Sequence, residues 1–221
     1  MRERFLVLGC GERGCAAARE LLAASARHRV LLADRSREAL AAGVAWILAR
    51  ESAALGRLRS EILDAGEPQA VARLAREAEV ILSALPPGLE PALARAALGA
   101  GFPLVGLGGD DATVAQLLAL DAEARRRGVA LVAGCAGAPT ARAVLARAGE
   151  GALGELPAPA DERWLGLPAA LAAQMIARRE VAEGAWAAER LIPPRSLLAE
   201  AERRGLHLDF HGRMPAKEPD R

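Results

Sequence analysis

Phe5-Leu6-Val7-Leu8-Gly9-Cys10-Gly11-Glu12-Arg13-Gly14 is the stretch whose reading decides the fold. An apolar run of strand length passes straight into G-x-G-x-x-G, and an Ala/Leu/Arg/Glu segment of helix composition follows through Ala26. Glycines at this spacing carry little information alone; a strand before them and a helix after them give them meaning. A second apolar run, Val30–Ala33, ends on Asp34, 20 residues beyond Gly14. Strand, glycine loop, helix, strand and acid, in that order, predict a dinucleotide-binding βαβ unit. The chemistry is that of bare backbone. Gly9 permits the tight turn, Gly11 lets a pyrophosphate approach the main chain, and Gly14 lets the helix pack on the strand. The helix N-terminus adds free amides and a partial positive charge.

Outward from this unit the pattern repeats. Strands are predicted at Phe5–Leu8, Val30–Ala33, Arg59–Leu63, Val80–Ser83, Leu104–Leu107 and Val129–Ala133, with helices at Gly14–Ala26, Arg37–Ala54, Pro68–Glu77, Leu89–Gly99, Thr113–Arg127 and Pro139–Ala148. Most of the strand runs are apolar throughout, as strands buried on both faces are. Alternation with short connections predicts an α/β fold: a Rossmann-type doubly wound parallel sheet. A Gly/Pro-containing linker, Gly151–Asp161, then precedes a helix at Pro168–Glu183 and another at Arg195–Arg204. His207–Phe210 reads as a short edge strand and Met214–Arg221 as a frayed tail. The expected organisation is a dinucleotide-binding domain over 1–150, a linker over 151–165, and a short C-terminal helical extension over 166–221 that packs on the first domain.

Composition narrows the function classes. Of 221 residues, 52% are hydrophobic, enough for one substantial domain. The charges nearly cancel at +1, and Tyr is absent beside three Trp and three Phe. Neither a basic field nor a base-stacking surface is present, which argues against nucleic acid as a partner and against an anionic membrane surface. No apolar run reaches bilayer-spanning length and the N-terminal run lacks a signal-peptide pattern, so a cytoplasmic location is the default expectation. Three cysteines, an odd number, argue against a disulfide framework. Without Tyr, the Tyr-x-x-x-Lys chemistry of short-chain dehydrogenases cannot operate; G-x-S-x-G and H-E-x-x-H are missing as well.

The remaining candidates fall at the carboxyl ends of the strands, where ligands bind in open α/β sheets. Glu12 places a carboxylate inside the glycine loop, repelling a pyrophosphate if it turns inward and harmless if it faces solvent; Arg13 beside it offsets the charge. Asp34 suits the ribose 2′-hydroxyl of NAD and repels the extra phosphate of NADP, so NAD is favoured over NADP. It also serves as a candidate helix cap. Arg35 is placed to stack on adenine or to hold that phosphate. Asp64 ends the third strand, positioned either to accept from the adenine amino group or to cap the next turn. Ser83, Ala84, Leu85 and Gly106 end the fourth and fifth strands, where ribose and nicotinamide would lie. Cys10, Cys15 and Cys135 fall along one rim of the sheet: as packed thiols by the commoner reading, as a redox pair or metal site by the rarer. His207, Asp209 and His211 alternate on one face, an exposed polar edge or a metal site.

Taken in order, Val7-Leu8-Gly9-Cys10-Gly11, Ala33-Asp34-Arg35, Leu82-Ser83-Ala84-Leu85-Pro86-Pro87, Val105-Gly106-Leu107-Gly108-Gly109, Leu118-Ala119-Leu120-Asp121 and Ala133-Gly134-Cys135-Ala136-Gly137-Ala138-Pro139 resemble the saccharopine dehydrogenase and lysine dehydrogenase family. The resemblance covers most of residues 4–148. Gly166-Leu167-Pro168-Ala169-Ala170-Leu171-Ala172-Ala173-Gln174-Met175 resembles that family's C-terminal helix, which returns to the nucleotide domain.

The resemblance implies NAD(P)-dependent oxidation or reduction at the C–N bond of an amino acid, with a small amino acid as the other ligand. It also implies a large substrate domain between the sixth strand and the returning helix. Here the gap is only about Gly151–Arg163, too short for a domain. The family's catalytic residues in that domain have no counterpart, and none is assigned. Three functions follow as expectations. One is an NAD(P)-dependent oxidoreductase with a reduced substrate site, completed by a partner chain, a homo-oligomer or the tail Trp164–Arg221. Another is a non-catalytic NAD(H)-binding sensor or subunit. The third is a degenerate family member that folds but has lost ligand binding, with Glu12 as the warning sign.

Overall fold

A computed structural model describes residues 3–147 and 162–206. The linker at 151–161, the edge strand expected at His207–Phe210 and the tail at Met214–Arg221 lie outside the described residues, and so does the His207, Asp209, His211 face. The strands are β1 (Arg4–Leu8), β2 (Arg29–Asp34), β3 (Leu58–Ile62), β4 (Val80–Ser83), β5 (Leu104–Gly106), β6 (Ala130–Ala133) and β7 (Gly184–Ala187). They form a single parallel sheet in the order β3-β2-β1-β4-β5-β6-β7. The order reverses between β1 and β4, which opens a crevice at the carboxyl ends of these two strands.

Strand alternation builds two cores. Phe5, Val7, Val30, Leu32, Val80, Leu82, Val105 and Val132 face one side. Helices α1 (Glu12–Ala24), α2 (Arg37–Arg50), α7 (Ala138–Ala146), α8 (Arg163–Ala177) and α10 (Pro194–Arg203) cover them. Leu6, Leu8, Leu31, Ile81, Leu104 and Leu131 face the other side, under α3 (Pro68–Ala75), α4 (Glu90–Gly99), α5 (Asp111–Leu118) and α6 (Asp121–Arg127). A short helix α9 (Ala188–Leu191) follows β7. With both faces covered, the central strands β1, β4 and β5 are apolar along their length, and polar residues stand only at their ends, Arg4 on β1 and Ser83 on β4.

The α2 start has a local cause. Ser36 caps it, its Oγ accepting from the Ala39 amide at 3.1 Å. Ser36→Ala should lower stability by about 1 kcal/mol, the usual worth of such a cap. An unchanged urea midpoint would show that the cap contributes nothing here.

The carboxy-terminal segment differs most from the sequence reading. Helix α8 begins five residues before Pro168, which sits inside the helix. Proline removes one amide, but so near the N-terminus only the Trp164 carbonyl loses its helical partner. The helix ends at Ala177, six residues before the expected Glu183. Arg179 takes the left-handed conformation, φ 61°, and Glu180 donates back to the Met175 carbonyl at 2.9 Å. That closure normally uses glycine, so the sequence carries no stop signal. The freed chain then forms β7, absent from the sequence reading, which pairs in parallel with β6. Its Ala185 amide donates to Asp121 Oδ1 at 2.8 Å. The same carboxylate opens α6, and the single helix expected over Thr113–Arg127 is broken at Ala119-Leu120. Gly166 of α8 lies on α1 so closely that a Cβ would meet backbone atoms of Ala16 and Ala17 at 2.3–2.5 Å.

Candidate functional site

The site grows from the turn after β1. Gly9 has φ +97°, and a Cβ there would stand 2.7 Å from the Ala84 carbonyl oxygen, so the turn is pressed directly on the β4 loop. Gly9 N donates to Ala33 O and Ala84 N donates to Leu8 O, each at 2.8 Å, which ties the ends of β1, β2 and β4 together. Gly14 lies under the turn: its Cβ would fall 1.9 Å from the Gly9 carbonyl oxygen. Gly11 is the opposite case, with nothing within 4 Å of a Cβ. It is the N-cap of α1 and supplies no side-chain oxygen, so no side chain caps the helix's first turn. Those amides, with the helix dipole, are oriented for an anion.

Asp34 is held from both sides. Its Oδ2 accepts from Cys10 N at 2.8 Å and its Oδ1 from Ser36 N at 2.9 Å. Each carboxylate oxygen keeps a further lone pair for a ligand hydroxyl. Gly9, Gly11, Asp34, Arg35, Asp64, Ala84 and Leu85 line one cleft of about 450 Å³, together with Ser36, Ala65, Pro86 and Leu89. Seven of the twelve cofactor candidates thus meet around one cavity of ligand size. Asp64 also accepts from Gly66 N at 2.8 Å, so the turn-capping role is present in the structure. A second cleft of similar volume, lined by Arg19, Glu20, Arg163, Glu200, Arg203 and Arg204, lies along the last turns of α1 and away from the strand ends.

The other candidates sit elsewhere. Gly14 is beneath the turn, as described. Glu12 is exposed and is not part of the cleft lining. Arg13 is also exposed and reaches across to the Leu107 carbonyl, 3.3 Å from its Nη1. Ser83 is fully buried, and its Oγ has no hydrogen-bond partner among the described residues. Gly106, the last residue of β5, is buried and is not part of the cleft lining.

Glu90 is the residue that sequence reading missed. Its side chain is fully buried under the β5 loop; a Cβ on Gly106 would meet Oε1 at 2.0 Å and one on Gly108 would meet Oε2 at 2.5 Å. Neither oxygen makes a hydrogen bond of normal geometry among the described residues. Burial pushes this carboxyl up to about 7; the Gly108 amide and the Arg13 guanidinium pull it down, while Asp110 adds to the rise. Nothing in the sequence marks Glu90 as buried, because it opens a helix after an exposed Pro86-Pro87-Gly88-Leu89 turn.

Cys135 is fully buried and its thiol is pushed up, first by burial and then by Glu90. Cys10 and Cys15 touch, with 3.6 Å between sulfurs. Among the described residues, no group of three or more His, Cys, Asp or Glu is placed to hold a metal. No helix among them is long and apolar enough to cross a membrane.

The family model described as the saccharopine dehydrogenase NADP binding domain matches residues 5–132. No curated protein matches the chain by sequence. Among solved structures, the NADPH-bound short chain oxidoreductase with an atypical catalytic center from Pseudomonas aeruginosa PAO1 is 18% identical over 84% of this chain and 94% of its own, with a TM-score of 0.51. That likeness concerns the fold. Apo saccharopine dehydrogenase (L-Glu forming) from Saccharomyces cerevisiae is 18% identical over 66% of this chain, TM-score 0.46, and this chain spans only about 32% of that enzyme. GenD2 from gentamicin A biosynthesis, in complex with NAD, is 21% identical over 70% of this chain and 41% of its own, TM-score 0.44. The glycine turn, the β2 acid and the reversal of strand order all fall inside the matched span, and the chain belongs to the saccharopine dehydrogenase NADP-binding domain family.

Proposed function

We propose that this chain binds a nicotinamide dinucleotide in the β1/β4 crevice and serves an oxidoreductase acting at the C–N bond of an amino acid. The observation that carries the reading is the meeting of the Gly9–Gly14 backbone, the uncapped α1 N-terminus and the Asp34 carboxylate around one 450 Å³ cleft. The amides after Gly11 would hold the pyrophosphate, Asp34 would accept from the adenosine ribose, and Arg35 and Asp64 would flank the adenine. Ala84 and Leu85 would line the nicotinamide end. The bound dinucleotide supplies hydride chemistry; these residues bind and orient it. NAD is preferred to NADP, because a carboxylate at position 34 faces the place where the 2′-phosphate would sit. Arg35, exposed at the cleft mouth, is the group that offsets this.

Titration with NAD, NADH, NADP and NADPH by calorimetry tests the reading; no binding of any at millimolar concentration sinks it. Asp34→Ala should cost about 1.5–3 kcal/mol of NAD affinity, roughly 10- to 150-fold, since a charged hydrogen bond is lost. The variant also strips the acceptor from Cys10 N and Ser36 N. Asp34→Asn keeps one acceptor oxygen, so it separates loop support from ribose recognition: NAD affinity should fall while NADP affinity rises. If NAD affinity is unchanged in both variants, Asp34 has no role in the ribose.

A second reading is a dinucleotide-binding subunit without turnover of its own. Only 14 residues, 148–161, separate the described segments, where the resemblance implies a substrate domain. Hydride transfer needs reacting atoms held at about 3–3.5 Å and shielded from water. An amino-acid panel with bound cofactor, followed by nicotinamide absorbance, distinguishes the two readings: turnover by the isolated chain excludes the second.

A further inference from the structure

We propose that Cys10 and Cys15 form a reversible disulfide that loosens the dinucleotide cradle, making this chain's cofactor binding sensitive to peroxide. The inference rests on the dinucleotide-binding reading. The two sulfurs lie 3.6 Å apart with nothing between them. They flank the cradle in sequence: Gly11, Glu12, Arg13 and Gly14 are the residues they enclose. Helix α2 leaves a space for them, since a Cβ on Gly43 would fall 2.3 Å from Cys10 Sγ and 2.8 Å from Cys15 Sγ. Each keeps a sliver of exposed surface, 7% for Cys10 and 6% for Cys15, against 0% for Cys135. All three cysteines are thus buried, and Cys135 is the most enclosed of them.

The pair is also chemically asymmetric. Cys10 Sγ lies 3.2 Å from the Ala39 carbonyl, and Cys15 Sγ lies 3.3 Å from the Cys10 carbonyl. The hydrogen bond between the thiols holds the Cys15 thiol below its ordinary value, while that bond, burial and the neighbouring charges raise Cys10. Cys15 is thus the first to react, as the thiolate is the nucleophile. Its sulfur attacks one peroxide oxygen, the O–O bond breaks, and hydroxide leaves, giving a sulfenic acid. Cys10, giving up its proton, then attacks the Cys15 sulfur and expels the second hydroxide. Two thiols and one hydrogen peroxide become one disulfide and two waters. The two electrons pass from sulfur to peroxide oxygen, and a dithiol reductant reverses the step.

Bonding requires the sulfurs to close from 3.6 Å to about 2.05 Å. Rotation of the two side chains takes up part of that movement and the enclosed residues the rest, and they carry the amides expected to hold the pyrophosphate. Cys10 N also donates to Asp34, so the shift reaches the ribose acceptor. Both effects weaken binding.

The test uses the whole chain, reduced and then treated with stoichiometric hydrogen peroxide. Peptide mapping after alkylation should show one Cys10–Cys15 disulfide and a free Cys135. NADH and NADPH fluorescence titration should show affinity at least about tenfold weaker for the oxidised chain, as expected if the pyrophosphate contact is disturbed, and dithiothreitol should restore it. Cys15→Ser and Cys15→Ala, two variants so that a folding failure of one leaves the other, should bind as the reduced protein does and ignore peroxide. Cys135→Ser should respond as wild type. All three thiols remaining alkylatable after peroxide, or a disulfide involving Cys135, overturns the proposal. So does a Cys10–Cys15 disulfide that leaves affinity unchanged. Reduced protein that binds no dinucleotide overturns instead the functional reading on which the proposal stands.

Discussion

Gly14→Ala should abolish dinucleotide binding and lower stability by about 3 kcal/mol or more, the upper end of what overpacking costs. A methyl group at this position would lie 1.9 Å from the Gly9 carbonyl oxygen and 3.1 Å from the Ala84 Cβ. The first partner is backbone, so no side-chain rotation relieves the clash. Helix α1 has to move away from β1, and the turn that Gly9 makes against Ala84 moves with it. Gly11→Ala gives the contrast. Its φ of −73° suits any residue and its Cβ meets nothing, so the fold should survive unchanged. Gly11 lines the cleft, however, and a methyl group there occupies the approach a pyrophosphate needs. Urea midpoints and calorimetric titration of the two variants check the pair. One should be destabilised and the other stable, and neither should bind with wild-type affinity. Retained binding in Gly11→Ala would move the pyrophosphate elsewhere.

Glu90→Gln should stabilise the protein at pH 8 by about 3 kcal/mol and leave it unchanged near pH 4. The carboxyl rises from 4.5 to about 7 on folding, chiefly because burial disfavours its charge. Between these values the unfolded chain has released the proton and the folded chain keeps it. Stability therefore falls as pH rises from about 4.5 to about 7 and is flat above, with a total of about 3 kcal/mol at 1.36 kcal/mol per pKa unit. Glutamine has the shape of the neutral acid and no proton to lose, so this slope should vanish. At this chain length the gain corresponds to a Tm increase of roughly 6–12 °C at pH 8. Parallel stability curves for wild type and variant across pH 4–8 would show that Glu90 is hydrated or paired in solution. The same titration lies directly beneath the Gly106–Gly108 backbone, so its ionisation would also load the β5 loop.

The alternating unit was legible in the chain because its signals are local. Strands buried on both faces must be apolar, a tight turn under a helix must be glycine, and Asp34 closes β2 as its last residue. Those constraints act over a few residues, so six strands and the outline of the crevice could be read in order. The fate of each loop residue could not. Glu12 and Arg13 are adjacent in sequence; the glutamate is exposed to solvent while the arginine reaches Leu107 O, 94 residues away. Ser83 and Ala84 are adjacent as well, yet one is buried on the sheet and the other lines the cleft.

By itself, then, the amino-acid order determined an α/β domain with parallel strands and a bare backbone turn ahead of a helix, since periodicity and glycine sterics operate within one βαβ unit. Tertiary structure alone decided three further things. It added β7, whose residues Gly184-Ala185-Trp186-Ala187 are too few and too mixed in size to show a strand pattern and are drawn into register by β6 and the Asp121 carboxylate. It brought Cys10 against Cys15 under Gly43. It closed water away from Glu90. Each of these depends on which surfaces meet, and desolvation and close approach are properties of the packed molecule rather than of any segment.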